Sequence, residues 1–251
     1  MANIANFDYL GLDKYIQEEL VADFYGKRLE KLDGVRLNTL LKRKNPYLYR
    51  AKNLQTGEHF VRQILDAFLS SSEETQFGDL MEKLSIHICG EVFGGRKSAA
   101  SSIDLEFTRD EKYYIVSVKS SPNWGNSSQI SKMKANFTTA KRILGTNSSI
   151  RNVIAVNGCC FGKDDVPDKG DYLKLCGQRY WTFISGDEDL YLKIIKPLGD
   201  QAKEKDAGFQ TLYVKRLNEM TADFLSRFCP DGLIDWEILV KYNSEANIKR
   251  F

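Results

Sequence analysis

The order of four segments limits the fold of this chain more than any other feature. Ile103-Asp104-Leu105-Glu106-Phe107 and Tyr113-Tyr114-Ile115-Val116-Ser117-Val118-Lys119 are rich in β-branched and aromatic residues, with Arg109-Asp110-Glu111 between them to make a turn. They predict a hairpin. Ile130, Met133, Phe137, Ala140 and Leu144 then recur at helical spacing, and Asn152-Val153-Ile154-Ala155-Val156 reads as a buried strand. A strand reached through a helix returns to the same end of the sheet, so this last one is expected parallel to the strand ending at Lys119. The result is an α/β fold, a mixed β-sheet of about five strands flanked by helices, with helical N- and C-terminal additions.

The flanks fit that frame. Over residues 12–41 the apolar positions Tyr15, Ile16, Leu20, Phe24, Leu29, Leu32, Leu37, Leu40 and Leu41 predict helix, broken at Asp33-Gly34. Another helix starts near Thr56-Gly57-Glu58 and is expected to stop at Ser70-Ser71-Ser72. A third covers 74–91, followed by a basic loop, Gly94-Gly95-Arg96-Lys97. Beyond Gly158 the pattern predicts one strand within 173–184, a helix over 188–195 and a longer helix over 209–228. Three regions are expected: a basic helical N-terminal region, 1–72, for DNA binding or dimerisation; a catalytic core, 73–195; and a helical C-terminal region, 196–251.

Composition excludes several classes. With 42% hydrophobic residues in 251, the chain can bury a substantial core. No apolar run approaches the roughly 20 residues of a membrane span, and residues 1–12 lack signal-peptide character, so no membrane partner and a cytoplasmic location are expected. Cys89, Cys159, Cys160, Cys176 and Cys229 contain no CxxC pair and read as buried thiols. His59 and His87 read as helix residues rather than general bases, and neither a Gly-rich phosphate loop nor a nucleophile elbow is present.

The chemistry gathers at the hairpin. Strand periodicity puts Asp104 and Glu106 on one face, and Ser117 and Lys119 on one face of the next strand, so carboxylates and an ammonium can meet at one end of the sheet. Such a set suits Mg²⁺-assisted phosphodiester hydrolysis, with Lys119 orienting or deprotonating water. Between residues 27 and 52 nine basic residues face two acidic ones. Lys44, Asn45, Tyr47, Arg50 and Lys52 mix cations, an amide and a stacking ring there, a composition suited to phosphate contact. Arg96 and Lys97, the polar run Asn123, Asn126, Ser127, Ser128 and Gln129 at a helix start, and Lys132 and Lys134 behind it are the other candidate DNA contacts.

Asp104, with twelve residues before Ser117-Val118-Lys119, resembles the PD-(D/E)xK nuclease motif. The phrases Lys44-Asn45-Pro46-Tyr47-Leu48, Phe68-Leu69-Ser70-Ser71-Ser72-Glu73-Glu74 and the run 118–129 are similar to type II restriction endonucleases, the PmeII-like family in particular. The resemblance implies a restriction-endonuclease-like core in which Asp104 binds metal and Lys119 is the catalytic lysine. Ser117 stands where that motif carries an acid. The second carboxylate is then expected from Glu106 first, from Glu82 on the preceding helix second, and from Glu91 last. The resemblance also implies Mg²⁺, double-stranded DNA with a short palindromic site, a homodimer to match its two-fold symmetry, and a cognate DNA methyltransferase in the same system. The rival readings are a structure-specific repair or recombination nuclease, and a catalytically inactive DNA-binding protein of the same fold, which Ser117 favours.

Overall fold

The structure is a computed structural model in which residues 7–146, 150, 152–200 and 202–246 are described. Helix α1 (Tyr9–Lys14) is capped by the Asp8 side chain and leads through a π-helical stretch, Tyr15–Val21, into α2 (Ala22–Gly34). After α3 (Leu37–Arg43) comes α4 (Pro46–Ala51), where the Asn45 side chain accepts the Tyr47 N–H and Pro46 occupies the first turn, in which no donor is needed. Helix α5 (Gly57–Phe93) then runs for 37 residues. The break expected at Ser70-Ser71-Ser72 does not occur. Serine is only a mild helix breaker, the buried set continues through Leu69, Leu80, Met81, Leu84 and Ile88, and the polar middle is tied by Thr75 Oγ1 to the Ser71 carbonyl and Gln76 Nε2 to Ser72 Oγ.

Gly94 stops α5 with φ +65°, a conformation that favours glycine, and the Gly95 N–H returns to the Cys89 carbonyl. Arg96 and Lys97, expected in a loop, instead form a short edge strand, β1 (Arg96–Lys97). The hairpin follows as β2 (Leu105–Arg109) and β3 (Lys112–Lys119), joined through Asp110 and Glu111, both with positive φ, as a tight hairpin turn requires. Next come α6 (Ser127–Gly145), β4 (Val153–Cys159), β5 (Leu173–Cys176) and α7 (Gln178–Ser185). The chain continues with α8 (Leu190–Lys193), α9 (Ile195–Gly199), α10 (Ala202–Phe228) and α11 (Trp236–Ser244). Thus α8 is shorter than the helix expected over 188–195, and α10 begins well before residue 209. The sheet has five strands in the order β1-β2-β3-β4-β5, antiparallel through β3 and parallel from β3 to β5, which is the predicted mixed α/β arrangement. No helix among the described residues is long and apolar enough to cross a membrane.

The chain divides into two compact units. One takes residues 7–23 and 77–200; the other takes 24–76 and 202–246. In the first, Met133, Phe137 and Ala140 of α6 pack on Ile115 and Ala155, on one face of the sheet. On the opposite face Phe107 stacks between Phe93 and Tyr114, and the Tyr180 ring of α7 lies on Gly158. The second unit is helical: Phe60 stacks on Phe224 at 4.8 Å and meets Tyr49 and Trp236 edge-on. Arg28 there binds Glu73 and Asp206 and lies 3.7 Å over Phe209, so part of the basic block is internal to this unit rather than open to a ligand.

Candidate active site

Lys119 is the last residue of β3, and Asp104 lies just before β2. The Asp104 N–H still donates to the Val116 carbonyl at 2.9 Å, and its carboxylate accepts the Val118 N–H at 2.7 Å. The side chain therefore serves a β3 donor where β2 has begun to leave the ladder. Ser117 Oγ lies 3.4 Å and Lys119 Nζ 3.8 Å from the same carboxylate oxygen. Lys119 Nζ donates to the Val118 carbonyl at 2.9 Å and sits 5.3 Å from the Trp124 ring centre. The lysine is held on three sides, and its side chain is 31% exposed against 16% for Asp104, so the pair opens to solvent through the lysine.

Burial pushes the Asp104 carboxyl above its ordinary range. Lys119, the Val118 N–H and Lys97 pull it down, whereas Glu82 pushes it up as a neighbouring negative charge. Asp104 thus feels Glu82 as a neighbouring like charge, and each carboxylate has a cation beside it: Lys119 Nζ lies near Asp104 and Lys97 Nζ binds Glu82 Oε1.

The other acids sit elsewhere. Glu106, only 6% exposed, is opposite Arg96 in the β1–β2 register, binds Arg96 at 2.9 Å and Ser98 Oγ at 2.8 Å, and faces the Tyr113 hydroxyl. Both of its oxygens are engaged away from Lys119. Glu91 is exposed and acts electrostatically on His87, whose ring stacks on Tyr15 at 3.8 Å and whose pKa burial lowers. His59 contacts Gln63. Ser117 is buried, 3% exposed, and gives its hydroxyl to Asp104. Its neighbour in register on β4 is Asn157, 2% exposed. Sequence reasoning passed over Asn157, though a single amide inside Val-Ile-Ala-Val-Asn-Gly-Cys-Cys was the available signal.

Asn126 and Gln129 form a reciprocal capping box at the start of α6, so part of their hydrogen-bonding capacity is used by the helix. Asn123, Ser127, Ser128 and Lys132 are exposed, while Lys134 pairs with Asp171 at 3.2 Å. In the helical unit Lys42, Arg43, Asn45, Tyr47, Arg50 and Lys52 are exposed, with Arg50 over Trp236 and Lys52 near Tyr49, and Lys44 is half-buried. All five cysteines are buried and free, and no group of three or more His, Cys, Asp or Glu among the described residues is arranged to hold a metal. Asp104 and Glu82 are the acids that would hold a hard divalent ion. Such an ion needs only one or two protein carboxylates beside water and phosphate, and the Lys97 ammonium already stands against the pair as a cation.

No individual curated protein matches the chain. A family model does, that of the type II restriction endonuclease EcoO109I, over residues 11–206. This span holds the whole sheet, α5, and the Asp104–Lys119 pair. The chain belongs to the EcoO109I family of type II restriction endonucleases.

Proposed function

We propose that this protein cleaves both strands of duplex DNA at a short specific sequence, with Mg²⁺, using a PD-(D/E)xK-type site built on Asp104 and Lys119. The observation that carries the reading is the 3.8 Å approach of Lys119 Nζ to the Asp104 carboxylate at the end of the hairpin, in a chain of this family. Asp104 and Glu82 would hold Mg²⁺, which when bound polarises the scissile phosphate and acidifies water. Lys119, fixed on the Val118 carbonyl, orients the attacking water and offsets negative charge as it develops. Ser117 keeps the Asp104 carboxylate turned toward the lysine in place of a third acid. Because Glu106 is engaged by Arg96 and Ser98, Glu82 is the better partner for Asp104, the reverse of the order expected from strand alternation. The narrower PmeII-like grouping rests on the phrases around Lys119.

The reading includes a homodimer on a palindromic site, a DNA methyltransferase protecting that site, and action in the cytoplasm. Its test is phage DNA incubated with the protein and Mg²⁺. Discrete fragments, lost with EDTA and with Asp104→Asn, are expected. Binding without cleavage over a range of salt and metal would favour the inactive DNA-binding protein that Ser117 suggests, and cleavage of branched but not linear duplex would favour a repair nuclease.

The Lys42-Arg43-Lys44 run would contact phosphate, since these three side chains have no ion pair among the described residues. Replacing all three by Ala should weaken duplex binding at every sequence and flatten the slope of log K against log salt by roughly 0.9 for each phosphate no longer neutralised, about 2 to 3 in all. Binding measured from low to moderate salt checks this; an unchanged slope removes the run from the interface.

A further inference from the structure

We propose that Lys97 is a built-in counter-cation for the Asp104–Glu82 pair, and that a divalent ion binds these carboxylates only by displacing its ammonium. The inference rests on the site assignment above. Strand β1 pairs with β2 so that Arg96 is opposite Glu106 and Lys97 opposite Leu105, and alternation along the strand sends the two cations to opposite faces. Arg96 goes to Glu106. Lys97 goes to Glu82 on α5 and also feels the charges of Asp104 and Asp79, so it faces acids from both the helix and the hairpin.

Among the described acids Lys119 serves Asp104 alone. Its amine is held by the Val118 carbonyl and approaches Asp104, whereas Glu82 takes Lys97. Lys97 holds Glu82 through Oε1, and a Mg²⁺ or Mn²⁺ ion on the same carboxylate would stand beside the ammonium as a like charge, so the two cations oppose each other there. The Lys97 side chain is 62% exposed on a flexible stem at a sheet edge, which leaves it free to swing to a phosphate when DNA arrives. Metal binding is thereby linked to DNA binding: the duplex gives the ammonium another partner, and the carboxylates are released to the ion.

The test is Mn²⁺ titrated into DNA-free protein and followed by calorimetry or by the spin-resonance signal of free Mn²⁺. Lys97→Met should bind Mn²⁺ about tenfold more tightly than the parent, the effect of removing one competing charge at contact distance in a partly solvated site. Lys83→Met is the control for charge alone. Lys83 follows Glu82 in the chain but binds Asp23 at 2.9 Å, and its loss should alter Mn²⁺ affinity by less than about twofold. Affinity in Lys97→Met no higher than in Lys83→Met would overturn the proposal. Lys97→Gln, which keeps a polar side chain, guards against a folding defect and should show the same gain. Asp104→Asn separates the layers: if it binds Mn²⁺ as well as the parent, the site assignment itself fails, whereas weaker binding there with no gain in Lys97→Met removes only the role of Lys97.

Discussion

Lys119→Ala should lower the rate of duplex cleavage at saturating Mg²⁺ by at least about a thousandfold, the combined effect of removing a water-positioning group and a preorganised cation. Affinity for the same duplex, measured with Ca²⁺ in place of Mg²⁺, should change by less than about threefold, because a single phosphate contact carries little of a multi-contact interface. Lys119→Arg should remain nearly as slow. A guanidinium does not deprotonate, and its planar fork would meet the Asp104 carboxylate and the Trp124 ring in a geometry unlike that of the single ammonium held on the Val118 carbonyl. Asp104→Asn is the matching change on the other side, preferable to Ala because the amide oxygen can still accept the Val118 N–H that ends the ladder. It should cost cleavage on the same scale while leaving the melting temperature close to the parent. Single-turnover kinetics beside a binding isotherm separate these outcomes, and cleavage by Lys119→Ala within tenfold of the parent would remove the lysine from the chemistry.

The part of this site that was legible in the sequence is the part fixed by period two. Asp104, Ser117 and Lys119 are brought together because hairpin pairing aligns residues that alternate along neighbouring strands, and the parallel β4 followed from the helix that precedes it. Glu106 shows the limit of that rule. Sharing a face with Asp104 does not make it share a partner, because β1 adds Arg96 on the outer side, and a two-residue edge strand after two glycines leaves almost no periodic signal. The unbroken α5 was missed for a related reason: three serines look like punctuation, but each costs the helix only a fraction of a kcal/mol, and a continuing apolar face carries α5 through them as it does through Gly78 and Gly90. Glu82 and Lys97 meet across a helix and a strand edge, a contact that no local spacing announces.

Gly158→Ala should destabilise the sheet unit by roughly 3 kcal/mol or more, lowering its melting temperature by at least about 6 °C. A Cβ at this position would lie 2.1 Å from Cε2 of Tyr180, a ring that is fully buried. Helix α7 cannot simply lift away, because the Gly177 N–H that begins it is bound to the Cys159 carbonyl at 2.9 Å. The glycine thus lets α7 close on the face of β4 opposite the one that carries Asn157 and Cys159, in register with Ser117 and Lys119. Gly145→Ala, at the end of α6 with nothing near the added methyl, should instead be neutral or raise the melting temperature slightly. Tyr180→Leu removes the colliding ring atoms and leaves a cavity that is itself costly, by about 2 to 4 kcal/mol. The double variant Gly158→Ala/Tyr180→Leu should therefore be more stable than the sum of the two losses by at least about 1 kcal/mol, because the new methyl enters the space that the ring vacates. Thermal or denaturant unfolding of all four proteins checks the sign of this coupling; strict additivity would mean that the glycine is needed for the backbone of β4 rather than for the approach of Tyr180.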